Sequence, residues 1–377
     1  MTRNIPTQQL AQRGQASIVG LVLATATILS ACGGASAPAS SAAAAGSAPA
    51  SSAAPAAAAN PFKGKTINLT IAGGAGGSFD LEGRTLAPYL GKQLGATIDV
   101  VNLPGGGGLK GWNAVAHDKP DGMNIGIGYI QGQVANVWEK VPGQNFDPVK
   151  LTWLGGYAGN RGLTAKVMFA NSQKPPFDTL DHLIATKDKV IELGAVGDVS
   201  GPLFFKVYNV PNEDLTSYAD ASAQKVGLLR GDGQVDVKTY PGWQSLVTSG
   251  KVWPILDFSL RPMWSVNPKV PTIGAFMKTH PIPAEAQAAM KADAAALDAG
   301  AGVFAPVGLE SSRAQVFRTA IAAAFKDSGL LAQAKKSHLS PFYLDASQEV
   351  AAINTGLEPK TVTIMRKYLP LSQGEAS

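Results

Sequence analysis

From Lys65 onward the chain alternates short apolar, β-branched runs with stretches whose apolar residues recur at helical spacing. Lys65 to Ala72 (KTINLTIA) reads as a strand, and apolar residues at 81, 86, 89, 90 and 94 line one face of a helix. Thr97 to Asn102 reads as a strand, Leu109 to Ala116 as a helix and Asn124 to Gly128 as another strand. This order predicts a parallel sheet with right-handed crossovers. A second set of strands is expected at 167–170, 190–195, 235–239 and 253–258. The C-terminal part reads as helical: an Ala-rich run at 284–297, an amphipathic one at 311–325, and a helix near Asp345 with Asp345 and Gln348 spaced as a capping box.

The N-terminus follows another pattern. Arg3 and Arg13, the only charged residues before position 63, precede an apolar run from Ile18 to Leu29. That run is too short to span a bilayer and fits the apolar region of a signal peptide. It ends in Leu29-Ser30-Ala31-Cys32, which resembles the lipobox of bacterial lipoproteins, with Cys32 as the lipid attachment site; an ordinary signal peptide with an incidental cysteine is the alternative. Cys32 is the only cysteine, so no disulfide can form within the molecule. Residues 33–59 are all Ala, Ser, Gly or Pro and have nothing large to bury, so they read as a tether with a reach of roughly 30 Å. The remainder suffices for one large domain or two medium ones.

The net charge of +5 falls to a surplus of 30 basic over 27 acidic residues once Arg3 and Arg13 are removed. The surplus is spread along the chain without basic clusters, which argues against nucleic-acid binding and is compatible with an anionic ligand. His117, His182, His280 and His338 are scattered without metal-ligand spacing, and no nucleophile elbow or HExxH motif occurs. Neither a metal nor a cofactor is expected.

Two glycine-rich loops directly follow the first two strands: Gly73 to Asp80 (GGAGGSFD) and Pro104 to Gly108 (PGGGG). Glycine permits close backbone approach to a ligand, and each loop opens a helix whose first N–H groups attract an anion. A carboxylate or phosphate site at these loops is one reading; two tight turns without a ligand is the other. Neither completes a nucleotide-binding motif, since Phe79 stands where the dinucleotide fingerprint has its third glycine. Asp80 is expected to cap the first helix, a role that does not preclude ligand contact.

At these loops the sequence resembles the solute-binding proteins of tripartite tricarboxylate transporters, the Bug-type receptors. Their first loop reads AGGGTD with an Arg four residues on; Ala75-Gly76-Gly77-Ser78-Phe79-Asp80 with Arg84 is similar. Their NRPGAGG is matched by Asn102 to Gly108 apart from Leu103, and Pro120-Asp121-Gly122 matches a later PDG. Gly233 to Asp236 (GQVD), Pro268 to Ile273 (PKVPTI) and Gly302 to Pro306 (GVFAP) resemble further family segments in the same order, so the likeness runs from about residue 65 to 358.

The resemblance implies an α/β, two-lobed periplasmic-binding-protein-like (Venus flytrap) fold with a helical C-terminal part, and a monomer without enzymatic activity. It implies a receptor that takes a small organic carboxylate to the membrane permease subunits of a tripartite transporter. Carried across by position, the ligand-binding residues are Ala75, Gly76, Gly77, Ser78, Phe79 and Asp80 of the first loop, with Gly197, Asp198, Ser200 and Tyr218 of the second lobe. The expected organisation is signal peptide 1–31, tether 32–60, first lobe 61–160, second lobe 161–255, and a return to the first lobe with C-terminal helices over 256–377. The chain departs from the family at Ser78, Phe79 and Ala219, and at Asp198, an acid where the family has a neutral residue. An ionised Asp198 facing the cleft would repel a second carboxylate; as a helix cap it would be neutral to the choice. The alternatives are a receptor for an ABC-type importer and, in another class, an exported lipoprotein hydrolase.

Overall fold

In a computed structural model the described residues are 60–158, 166–172, 177–194, 197–218, 220–260, 270–337, 339 and 342–369. The expected signal segment, the tether with Cys32, and His338 lie outside them.

The first strands follow the pattern of the sequence closely. Strand β1 (Thr66–Ile71) buries Ile67, Leu69 and Ile71 completely. Helix α1 (Ser78–Leu94) lays Leu86, Leu90 and Leu94 against Phe317 and Ile321 in one apolar cluster, and it stops where Gly95 turns left-handed. It begins one turn earlier than the apolar spacing suggests. Gly77 is its N-cap, which places Asp80 inside the first turn and not at the cap. The reason is that Asp80 folds back onto the N–H of Gly76 and closes the loop from within the helix. Strand β2 (Thr97–Asn102), helix α2 (Leu109–Ala116), strand β3 (Asn124–Tyr129) and helix α3 (Ile130–Glu139) follow, then β4 (Thr152–Tyr157).

The next strands build a second sheet. They are β5 (Lys166–Asn171), β6 (Val190–Leu193), β7 (Asn212–Leu215), β8 (Val235–Thr239) and β9 (Val252–Asp257). Helices α4 (Leu180–Ala185), α5 (Ser200–Tyr208), α6 (Ala221–Arg230) and α7 (Gln244–Thr248) connect them. Helices α8 (Ile273–Thr279) and α9 (Ala284–Leu297) lead back to the first sheet, which receives β10 (Ala301–Ala305). The chain closes with α10 (Ser311–Ala324), α11 (Ser328–Lys336), β11 (Tyr343–Leu344), α12 (Ala346–Gly356), which carries the expected Asp345–Gln348 capping box, and α13 (Pro359–Tyr368).

The strand orders are β11-β4-β10-β3-β1-β2 and β7-β6-β8-β5-β9. Only part of the expected parallel arrangement holds. β2, β1 and β3 are parallel, but β10 returns from the C-terminal part and runs antiparallel to both β3 and β4. The second sheet is likewise mixed, with β7, β6 and β8 parallel and β5 antiparallel to its neighbours.

The glycines of β3 are explained by the rings above them. A β-carbon on Gly126 would lie 2.4 Å from the ring of Phe304, and one on Gly128 would lie 2.7 Å from Trp112. Those rings stack with centroids 4.0 Å apart and pack beside Trp153. The same cluster continues through α9, which packs on α3 and α5, to Phe204 and Phe258 beside the second sheet. One apolar core thus ties the two sheets together behind the space where their strand ends meet. Among the described residues no helix is long and apolar enough to cross a membrane.

Candidate functional site

Both glycine loops leave the carboxyl ends of parallel strands, where an open α/β sheet leaves a crevice. They form one wall of a solvent-open cleft with a cavity volume of about 150 Å³. Gly73, Gly74 and Gly77 line it from the first loop, and Gly105, Gly107 and Gly108 from the second. Gly105 to Gly108 all have positive φ, from 57° to 127°, which explains four consecutive glycines.

The first loop is held from below. Asp80 accepts hydrogen bonds from Gly76 N (2.9 Å), Arg84 Nε (2.8 Å) and Asn102 Nδ2 (3.0 Å). Asn102 Nδ2 also donates to Gly73 O, while Arg84 Nη2 donates to Asn102 Oδ1. Burial alone would raise the Asp80 pKa, but these donors hold it below the usual carboxylate range. Three residues that carried the family resemblance therefore brace a loop, and none of the three is part of the cleft lining.

The opposite wall comes from the second sheet. Ser78 joins the two: its Oγ accepts from Thr239 Oγ1 at 2.6 Å and from Gly242 N at 3.3 Å. Ser222 Oγ donates to Ala75 O nearby. Asp220 is the N-cap of α6, accepting from Ser222 N and Ala223 N. The amino end of α3 adds Gln131, Gly132 and Gln133 to the lining. The first N–H groups of both α1 and α3 lack intrahelical acceptors, so two helix dipoles present their positive ends here.

Of the residues singled out in the sequence, Gly77, Ser78, Phe79, Gly197 and Asp198 meet in this lining. Ala75, Gly76, Asp80, Ser200 and Tyr218 do not. Ser200 is fully buried as the first residue of α5. The Tyr218 hydroxyl donates to Asp232 Oδ2 at 2.5 Å, with its ring against Gly227.

Asp198 does not cap α5; its N-cap is Val199. It faces the cleft, with one carboxylate oxygen 2.7 Å from Lys166 Nζ and the other bonded by Lys238 Nζ. Burial opposes ionisation of Asp198, yet Lys166 and Lys238 bring its pKa down to about 2. Behind Lys238 stands Asp236 at 3.2 Å, pushed up to about 7 by burial against the pull of Lys238. Lys225 also lines the cleft, donating to Gly242 O at 2.6 Å beside Trp243. Its pKa is lowered by burial.

These lysines had not been singled out as site residues. The signal was present in Val235-Asp236-Val237-Lys238, an otherwise apolar strand with two opposite charges on one face. His117, His182 and His280 have polar neighbours at the surface, and among the described residues no group of His, Cys, Asp and Glu forms a metal site.

No family model matches the chain. A curated relative, a UPF0065 protein in the gbd 5′ region of Cupriavidus necator, is 28% identical over 206 residues, or 52% of this chain. The chain spans 59% of that protein's length. The solved structure of the periplasmic binding protein BugD matches with a TM-score of 0.63 and 20% identity, over 81% of this chain and 98% of its own. MatC from Rhodopseudomonas palustris, solved with malate, gives 0.61 and 19% over the same shares. A further R. palustris protein, solved with adipate, gives 0.65 and 17% over 81% of this chain and 99% of its own. The chain thus shares its fold with the periplasmic binding protein BugD and with these two R. palustris proteins, which bears out the fold class and the resemblance read from the sequence.

Proposed function

We propose that this chain, built on the Bug-type binding-protein fold, is an extracytoplasmic receptor that captures a small organic carboxylate and delivers it to the permease subunits of a tripartite transporter. One observation carries the reading: two glycine loops, two helix amino ends and three lysines converge on a single cleft between the sheets. Backbone N–H groups and ammonium groups all donate and none accepts, which suits an anion. Relatives of this fold solved with malate and adipate support the same class of ligand.

In this reading residues 61–160 and 256–377 form one lobe and 161–255 the other. Gly77, Ser78 and Phe79 meet the ligand from the first lobe, and Gly197 and Asp198 from the second. Asp80 shapes the first loop. The signal peptide 1–31 directs export, Cys32 at the end of Leu29-Ser30-Ala31-Cys32 takes the lipid, and residues 32–60 tether the receptor to a membrane.

A thermal-shift screen of mono-, di- and tricarboxylates tests the proposal. A ligand at a hundred times its Kd stabilises the folded state by about 2.7 kcal/mol, about 4 °C for a body of this size. Failure of every carboxylate to raise the melting temperature refutes it.

A further inference from the structure

We infer that Asp236 is a proton-binding group coupled to the cleft through Lys238, so that the receptor takes up a proton as it captures a carboxylate and holds that carboxylate less tightly as pH rises. The inference rests on the receptor reading and adds a form of regulation to it.

Lys238 Nζ joins two acids in unlike surroundings. It bonds Asp198, which lines the cleft, and lies 3.2 Å from Asp236 Oδ1, which is outside the lining. Asp236 is 0% exposed, and its register partners, Phe169 on β5 and Leu193 on β6, are fully buried apolar residues. Among the described residues neither of its carboxylate oxygens accepts a hydrogen bond. A buried carboxylate without hydrogen bonds is costly to ionise, and a proton removes that cost. Asp198 has the opposite arrangement, with both oxygens engaged by lysines. Burial accordingly pushes Asp236 up to about 7 against the pull of Lys238. Burial also disfavours the Lys238 ammonium, but Asp198 and Asp236 together raise its pKa above the usual lysine value. The proton exchanged near neutrality therefore belongs to Asp236, and Lys238 stays charged.

The groups around Asp236 leave this arrangement intact. Glu192 of β6 and Asp214 of β7 are acids raised chiefly by burial, and their charge would favour the Asp236 proton. Lys166, at the start of β5, bonds Asp198. On α6, Lys225 donates to Gly242 O and Arg230 pairs with Asp232. Helix α5 carries no charge before Lys206 in its last turn, and the segment after β8 brings Tyr240, a phenol kept neutral by burial.

A carboxylate captured in the cleft adds negative charge beside Asp198 and Lys238. It draws on the same ammonium and repels an ionised Asp236, so the occupied receptor holds the Asp236 proton more firmly than the empty one. By linkage, affinity is greatest where Asp236 is already protonated and falls as pH rises through about 7.

Titration calorimetry with malate and adipate, whose own carboxylates are ionised from pH 6.5 to 8.5, tests this. Whichever acid the purified protein takes should bind at least threefold more weakly at pH 8.5 than at pH 6.5. Titrations at pH 7 in buffers of unlike ionisation enthalpy should show net proton uptake. Asp236→Asn, which fixes an uncharged side chain, should take up no proton and keep at pH 8.5 the affinity that the original has at pH 6.5. A residue that only supported the fold would instead lose affinity at every pH. Asp214→Asn and Glu139→Gln should retain the proton uptake. If Asp236→Asn does not melt cooperatively, the proton counts of the original and of these two variants decide. Capture without proton uptake, uptake lost in Asp214→Asn or Glu139→Gln, or pH dependence that survives Asp236→Asn overturns the inference and leaves the receptor reading standing. A protein that binds neither acid also overturns it, and the wider carboxylate screen then decides the receptor reading.

Discussion

Asp80→Ala separates a residue that shapes the binding loop from one that touches the ligand. The substitution removes the acceptor of three hydrogen bonds, from Gly76 N, Arg84 Nε and Asn102 Nδ2. Arg84 is half exposed, so its contribution is about 0.5 kcal/mol. The other two donors reach a buried, ionised acceptor and together are worth about 2–3 kcal/mol. Near 60 °C the unfolding entropy is about 2.1 cal/mol/K per residue. For roughly 300 ordered residues, a loss of about 3 kcal/mol therefore lowers the melting temperature by about 4–5 °C. Calorimetric melting of the original and the variant reads this directly.

The pH dependence adds a second check. The folded-state pKa of Asp80 is depressed, so its contribution is complete above the unfolded carboxylate range near pH 4 and is lost as pH falls through the folded value. Asp80→Ala should remove that part of the acid limb. A variant that melts within 1 °C of the original yet no longer binds carboxylates would show that Asp80 contacts the ligand, and the loop-bracing argument would be wrong.

Other expectations follow from the same structure. Gly77→Val places a β-carbon 3.2 Å from Gly74 O at the amino end of α1; the loop must shift, and carboxylate affinity measured by calorimetry should fall at least tenfold. Glu82 is buried with its pKa raised to about 8, and Asp236 and Glu139 are raised to about 7, all chiefly by burial. Each is protonated in the fold where the unfolded chain is ionised, so thermal stability should decline as pH rises from about 4.5 to 8, and Glu82→Gln should flatten the decline. Cys32→Ala should move the protein from the membrane fraction to the soluble one; unchanged fractionation would refute the anchor.

Several boundaries could be read from local pattern because local physics determines them. Thr97–Asn102, Leu109–Ala116 and Ala284–Leu297 stand where apolar spacing placed them. The capping box at Asp345 was visible because its partners are three residues apart. Strand β4 was hidden: Thr152 to Tyr157 contains two glycines, and a β-carbon on Gly156 would lie 2.2 Å from Ala301 O on the neighbouring strand. That constraint comes from a segment more than a hundred residues away. Helix α3 was hidden because it follows β3 without any turn residue between Tyr129 and Ile130. The lysine pair was missed for a similar reason. Lys166 and Lys238 are neighbours only through the antiparallel pairing of β5 with β8, where Lys166 faces Thr239 and Val167 faces Lys238. A glycine loop is visible in one contiguous stretch of sequence, whereas a charge cluster assembled across strands is not.

The position of β10 has a consequence for how the protein is made. β3 and β4 are consecutive strands of the first sheet, yet they do not touch, because residues 301–305 lie between them. A chain growing from its N-terminus has all five strands of the second sheet by residue 257, while the first sheet remains in two unconnected pieces for some forty-five residues more. Such late, distant pairing slows folding, since a long loop must close before any contact rewards it. The half that holds the first glycine loop, although synthesised first, is the half that matures last.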